Sequence, residues 1–109
     1  MSRADILGQE LKRILPLLVA DTSVRQVIVF GSMASGNVHE GSDIDLVVVQ
    51  DTALSFWERL RAIRRKVQPG VGVDLLVYTP NEFNDLSARR PFVREEIAQK
   101  VERPRAVMA

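Results

Sequence analysis

Asp43 and Asp45 stand at the mouth of the apolar run Ile44 to Val49, and Asp74 sits in a similar setting, Val73-Asp74-Leu75-Leu76-Val77. An ionised carboxylate beside strand-like core sequence is costly unless a cation meets it. Residues two apart in a strand project from the same face, roughly 6.5–7 Å apart along the chain. Asp43 and Asp45 therefore point one way, while Ile44 and Leu46 point into the opposite layer. If the two runs are neighbouring strands, all three carboxylates converge on one face, where divalent cations relieve their repulsion. Such a ligand set suits magnesium or manganese, which keep water and take substrate phosphates as further ligands. Two such ions roughly 3.5–4 Å apart stabilise both oxygens of an in-line phosphoryl displacement.

Gly31-Ser32 supplies the phosphate end of that chemistry. It follows the strand-like run ending at Phe30, and Met33-Ala34-Ser35 can form the first turn of a short helix. A turn of this kind aims free backbone N–H groups and the Ser32 hydroxyl at an anion. Gly31 lets the anion approach the backbone closely. Each feature taken singly has a plain reading, since Gly-Ser and Gly-Ser-Asp are common in loops and Asp43 could cap a turn. Their joint spacing is what specifies a site: Gly31-Ser32, ten intervening residues, Asp43-Ile44-Asp45, then Asp74 in the following strand.

The elements that must position these residues can be read from periodicity. Ala4 to about Leu18 is an amphipathic helix with Leu7, Leu11, Ile14 and Leu18 on one face, which Pro16 is expected to kink or end near Leu15. Strands are predicted at residues 24–30, 44–49 and 71–78, the second half of the first continuously apolar as in a sheet buried on both faces. Leu54, Trp57, Leu60 and Ile63 mark a helix over residues 53–67, ended by Pro69-Gly70. Thr79-Pro80 caps and opens a helix over residues 80–88. Pro91 opens another, with Glu95 and Glu96 in its first turns and Val93, Ile97 and Val101 facing the core. The expected fold is one α/β (α+β) domain over residues 1–109, a small mixed central sheet covered by helices.

Composition narrows the classes of function. With 109 residues there is little room for a second domain. The net charge of +1 makes a nucleic-acid or membrane partner unfavoured, and the absence of cysteine excludes disulfides, thiolate metal sites and a cysteine nucleophile. The amino terminus lacks the apolar core of a signal peptide and no run is long enough to span a bilayer, so a cytoplasmic protein is expected. Order is expected throughout, except in the tail after Pro104.

Other residues tempt a functional reading. His39, the only histidine, reads as a solvated loop side chain before it reads as a ligand. Trp57 shares the apolar stripe of its helix and is expected in the core. Arg59, Arg61, Arg64, Arg65 and Lys66 suit a solvated helix end, or else a contact with RNA or an acidic partner. Arg89-Arg90 carries the same ambiguity.

The Gly-Ser, spacer, Asp-x-Asp and later aspartate resemble the minimal nucleotidyltransferases of the DNA polymerase beta superfamily, over roughly residues 24–79. The resemblance implies a polymerase-beta-like nucleotidyltransferase fold in which Gly31 and Ser32, with Ser42, hold a nucleoside triphosphate such as ATP. It implies that Asp43 and Asp45 bind both of two magnesium ions. Asp74 would bind the one nearer the attacking hydroxyl and help to accept its proton. Relatives often read Gly-Ser-Arg-Ala-Arg-Gly in the turn, where this chain has Met33 and Ser35, which implies weaker nucleotide binding or a basic residue lent by a partner. Similarity to small stand-alone members implies an antitoxin paired with a helical HEPN-type partner protein, whose hydroxyl is the acceptor. Alternatives are a non-catalytic antitoxin-like module that masks such a partner, and a small nucleic-acid-binding domain, which the charge disfavours. The sequence leaves open a homo-oligomer.

Overall fold

Leu7, Leu11, Ile14 and Leu18 are each no more than 1% exposed in the computed structural model, which describes residues 1–89 and 105–108. They line one face of α1 (Arg3–Val19). The helix starts in a capping box, with the Ser2 hydroxyl accepting the Asp5 N–H and the Asp5 carboxylate accepting the Ser2 N–H. α1 does not end near Leu15. It continues through Pro16 to Val19, because the missing Pro16 N–H and the clash of its ring with the preceding turn are local costs, and Leu18, one half-turn later, is fully buried.

The sheet is built from β1 (Val24–Phe30), β2 (Ile44–Gln50), β3 (Val73–Tyr78) and β4 (Arg105–Met108), in the order β3-β2-β1-β4. β1 and β2 are antiparallel, while β3 runs parallel to β2 and β4 parallel to β1. Between the strands lie α2 (Ser32–Ser35), α3 (Phe56–Val67) and α4 (Pro80–Arg89). The expected disorder after Pro104 is corrected by β4, whose residues Arg105 to Met108 pair with Gln26 to Val29. Backbone pairing with β1 provides the partner that a short run cannot find by itself. The helix expected from Pro91, with Val93, Glu95, Glu96, Ile97 and Val101, lies outside the described residues, as does Arg90.

Period-two alternation splits the sheet into two faces. Val27, Val29, Ile44, Leu46, Val48, Val73, Leu75 and Val77 pack with α1 and with Ile63 and Val67 of α3. Ile28, Val47 and Val49 point the other way and meet Phe83 of α4, with Phe30, Leu76, Tyr78 and Leu86 packed around them. α4 starts in its own capping box, since Thr79 Oγ1 accepts the Glu82 N–H and Glu82 Oε1 accepts the Thr79 N–H.

α3 corrects the expected stripe. Its cap is Ser55, so Leu54 precedes the helix and is 41% exposed, and Trp57 is 68% exposed rather than core. The buried face runs Arg59, Ile63, Val67. Trp57 lies about 120° around the helix from Ile63. Among the described residues, no helix is long and apolar enough to cross a membrane.

Candidate active site

The register of β2 against β3 places Asp45 directly opposite Asp74, and the register of β1 places Phe30 on the other side of Asp45. Asp45 shares its face with Val47 and Val49, opposite to Ile44 and Leu46, as strand alternation requires. Burial, a side-chain hydrogen bond with Asp74, and the negative charges of Asp74 and then Asp43 push the Asp45 carboxyl up to about 6. Near neutral pH the strand mouth is therefore electrostatically overfull. A proton can sit between Asp45 and Asp74, where a cation would serve equally well.

Two glycines let the backbone close around these carboxylates. Gly31, at φ 71° and ψ −148°, is the residue before α2, and a Cβ there would lie 2.9 Å from Asp45 Cγ and collide with its Oδ2. Gly72 does the same for Asp43, with a Cβ only 2.7 Å from the carboxylate carbon. Its position is fixed by the Ile44 N–H, which donates to the Gly72 carbonyl at 3.0 Å. Gly72 stands inside the strand expected over residues 71–78. The available signal was a glycine two residues before an aspartate in a strand pattern, which marks a close approach.

Among the described residues, no three His, Cys, Asp or Glu side chains already form a cage for one metal ion. Asp45 and Asp74 face each other, while Asp43 is 3.5 Å from the guanidinium of Arg3. This donor set fits a hard cation that completes its shell with water and phosphate oxygens, as magnesium does, and not one needing an all-protein cage. A raised carboxyl pressed against a second carboxylate fits a cation on chemical grounds too.

The turn behaves as its residues suggest. The Ala34 and Ser35 N–H groups donate to the Gly31 carbonyl, and Gly36, at φ 83°, ends α2. The N–H groups of Ser32 and Met33 find no backbone acceptor among the described residues. Met33 packs against the core beneath the turn, and the Ser35 hydroxyl donates back to the Ser32 carbonyl at 3.4 Å. Ser42 is 5% exposed, its hydroxyl accepting the His39 N–H at 2.9 Å and its carbonyl accepting Arg3 Nε–H at 3.0 Å. It braces the loop that presents Asp43. His39 is exposed, and its Nδ1 accepts the Gly41 N–H at 3.1 Å.

The basic residues of α3 divide into separate roles instead of forming one solvated face. Arg59 is 7% exposed and donates to the carbonyls of Leu54 (2.8 Å) and Val77 (3.3 Å) and to Glu82 Oε1 (2.7 Å). Its guanidinium holds the Glu82 carboxyl below the usual range. Arg64 donates to the Val73 carbonyl at 2.7 Å, beside Asp74, and Lys66 pairs with Asp21 at 2.8 Å. Arg61 and Arg65 line a surface cleft of about 280 Å³ with Leu54, Glu58 and Ala62. That cleft involves none of the three aspartates.

The chain belongs to the nucleotidyltransferase domain family, whose sequence model matches residues 9–104. The matched stretch contains the turn, all three aspartates and the strands that carry them. No curated protein matches the chain. The activity of the family is transfer of a nucleoside monophosphate, and the small α+β sheet with its helices is the corresponding fold.

Proposed function

We propose that this member of the nucleotidyltransferase family moves a nucleoside monophosphate, AMP from ATP, onto a hydroxyl of a partner protein. Asp43, Asp45 and Asp74 would hold two magnesium ions, with manganese as a substitute. When bound, the metal neutralises phosphate charge and acidifies the attacking hydroxyl. The observation that carries this reading is the contact of Asp45 with Asp74, two carboxyls held together beside a glycine turn at a cost that a divalent cation offsets.

The residues divide the work as follows. Gly31 lets the Asp45 carboxylate lie against the turn, and the Ser32 N–H and hydroxyl would donate to phosphate oxygens. Ser42 braces the loop that carries Asp43. Asp74 is exposed to solvent and would take the proton of the acceptor hydroxyl. That oxygen bonds to the α-phosphorus as the bond to the β-phosphate breaks and pyrophosphate leaves. The acceptor side is open, and the net charge of +1 offers little to a nucleic acid, which favours a protein acceptor. A helical HEPN-type toxin is the partner we infer, with this chain as its antitoxin and a tyrosine as the modified residue.

Met33 and Ser35 give α2 no cation, an observation that favours a second reading, a module that masks its partner without chemistry. The test is to mix the protein, ATP and magnesium with the product of the adjacent gene and record intact masses. An adenylyl increment on the partner, lost with Asp43→Asn, is the expected result. A tight complex with no increment under any nucleotide or either metal would replace transfer by masking.

A further inference from the structure

A basic side chain is disfavoured in the first turn of a helix, where the macrodipole is already positive. Arg3 is nevertheless the first residue of α1. Its guanidinium is spent on the aspartate loop, through Nε to the Ser42 carbonyl at 3.0 Å and through Nη2, 3.5 Å from Asp43 Oδ1. The side chains of Arg3 and Asp43 are 24% and 43% exposed, so an ion from solvent can reach the pair. Arg3 also falls outside residues 9–104, the stretch matched to the family. α2, Ser-Met-Ala-Ser, contributes no cation, and its Met33 packs into the core.

We infer that Arg3 is the resident counter-cation of Asp43, and that it passes from Asp43 to the triphosphate when a divalent ion arrives. The inference rests on the reading of the aspartates as a magnesium site. A guanidinium and a divalent cation compete for the same carboxylate, so Arg3 weakens binding of the bare ion. Its planar fork matches phosphate oxygens, so it strengthens binding of the triphosphate once the ion holds Asp43. The two effects together make nucleotide and metal favour each other, a coupling that neither ligand has alone. The Nε bond to the Ser42 carbonyl keeps the loop in register throughout. Arg3 thereby takes the part that α2 leaves unfilled.

Arg3→Met and Arg3→Lys would be compared with the unaltered chain, each first shown to melt cooperatively. Manganese alone would be titrated by paramagnetic resonance of the free ion, and a non-hydrolysable triphosphate by calorimetry at saturating manganese. Arg3→Met is expected to bind manganese about fivefold more tightly and the triphosphate about tenfold more weakly. Arg3→Lys, which keeps the charge and loses the fork, should change manganese binding little and triphosphate binding in the same direction as Arg3→Met. A merely structural role would weaken both ligands, and that result, or no change in either, overturns the inference. Manganese binding that Asp45→Asn abolishes but Arg3→Met leaves unchanged would sink Arg3 and spare the metal site. No manganese binding to the unaltered chain would overturn both.

Discussion

The two faces of the sheet answer to different demands. One meets α1 and α3 through aliphatic side chains, and Leu7, Leu11, Ile14, Leu18, Val27, Val29, Ile44 and Val48 are essentially sealed from solvent. The other is covered by α4 around Phe83 and then gives way, at the strand mouths, to Asp45 and Asp74. Both faces come from the same strands by alternation, so Ile44 and Leu46 serve stability while Asp45 between them serves charge. A strand is thus a device for placing a costly group one side chain away from what offsets its cost.

The largest expected effect separates the faces by activity. Asp45→Asn should slow nucleotidyl transfer roughly a thousandfold, on the order of 4 kcal/mol of lost charge stabilisation, measured with labelled ATP. The same variant should melt no lower than the unaltered chain, because it removes repulsion from Asp74 and Asp43. Wild-type transfer by this protein would break the division of labour.

Next comes the sealed face. Leu11→Ala should cost about 3 kcal/mol in denaturant unfolding, since Leu11 is 1% exposed and the surrounding leucines and valines cannot fully collapse on the cavity. Its effect on nucleotide binding in the folded protein should be small. A loss below about 1 kcal/mol would mean that this face is not the main support of the fold.

A smaller effect follows from pH. The carboxyl of Asp45 lies at about 6 in the folded chain, above its ordinary 3.8, so the folded state binds its proton more tightly than the unfolded state. The stability this gives is complete below about pH 4, is lost as pH rises through 6, and changes no further above that. On a partly exposed group the loss is on the order of 1 kcal/mol after solvent screening. Denaturant midpoints from pH 4 to 8 without metal should show it, and Asp45→Asn should flatten that part of the profile.

The smallest effect belongs to Trp57. Trp57→Ala should change stability by less than about 0.5 kcal/mol, because the ring is 68% exposed and packs edge-on against Phe56. A large loss in the same unfolding assay would return Trp57 to the core.

Most of the scaffold was legible because it follows local rules. Apolar runs bounded by turns located β1, β2 and β3, and the spacing of Asp45 and Asp74 anticipated their place on one face, whereas Asp43 precedes β2 and meets Arg3. What escaped depended on partners distant in sequence. Arg3 looks like an ordinary surface residue until the fold brings it to Ser42 and Asp43, about forty positions away. Arg59 looks solvated until Leu54, Val77 and Glu82 supply acceptors for its guanidinium, after which its stem can replace an aliphatic side chain in the core face of α3. Counting that face from Leu54 placed Trp57 inside. The cap at Ser55 shows that the helix had not yet begun. β4 is too short to announce itself without β1, and the burial of Leu18 decides against the stop expected at Pro16.

The fork of Arg59 also has a consequence for how the molecule opens. One guanidinium touches the approach to α3, the backbone of β3 and the first turn of α4. None of these can swing away without stranding a nearly buried charge, a penalty that falls on the first element to move. Fraying of α4 is therefore tied to α3 and β3, and the three should exchange their amide hydrogens as one cooperative unit. Asp74 belongs to β3, so the carboxylate at the site rim inherits the quiet of that unit although it faces solvent.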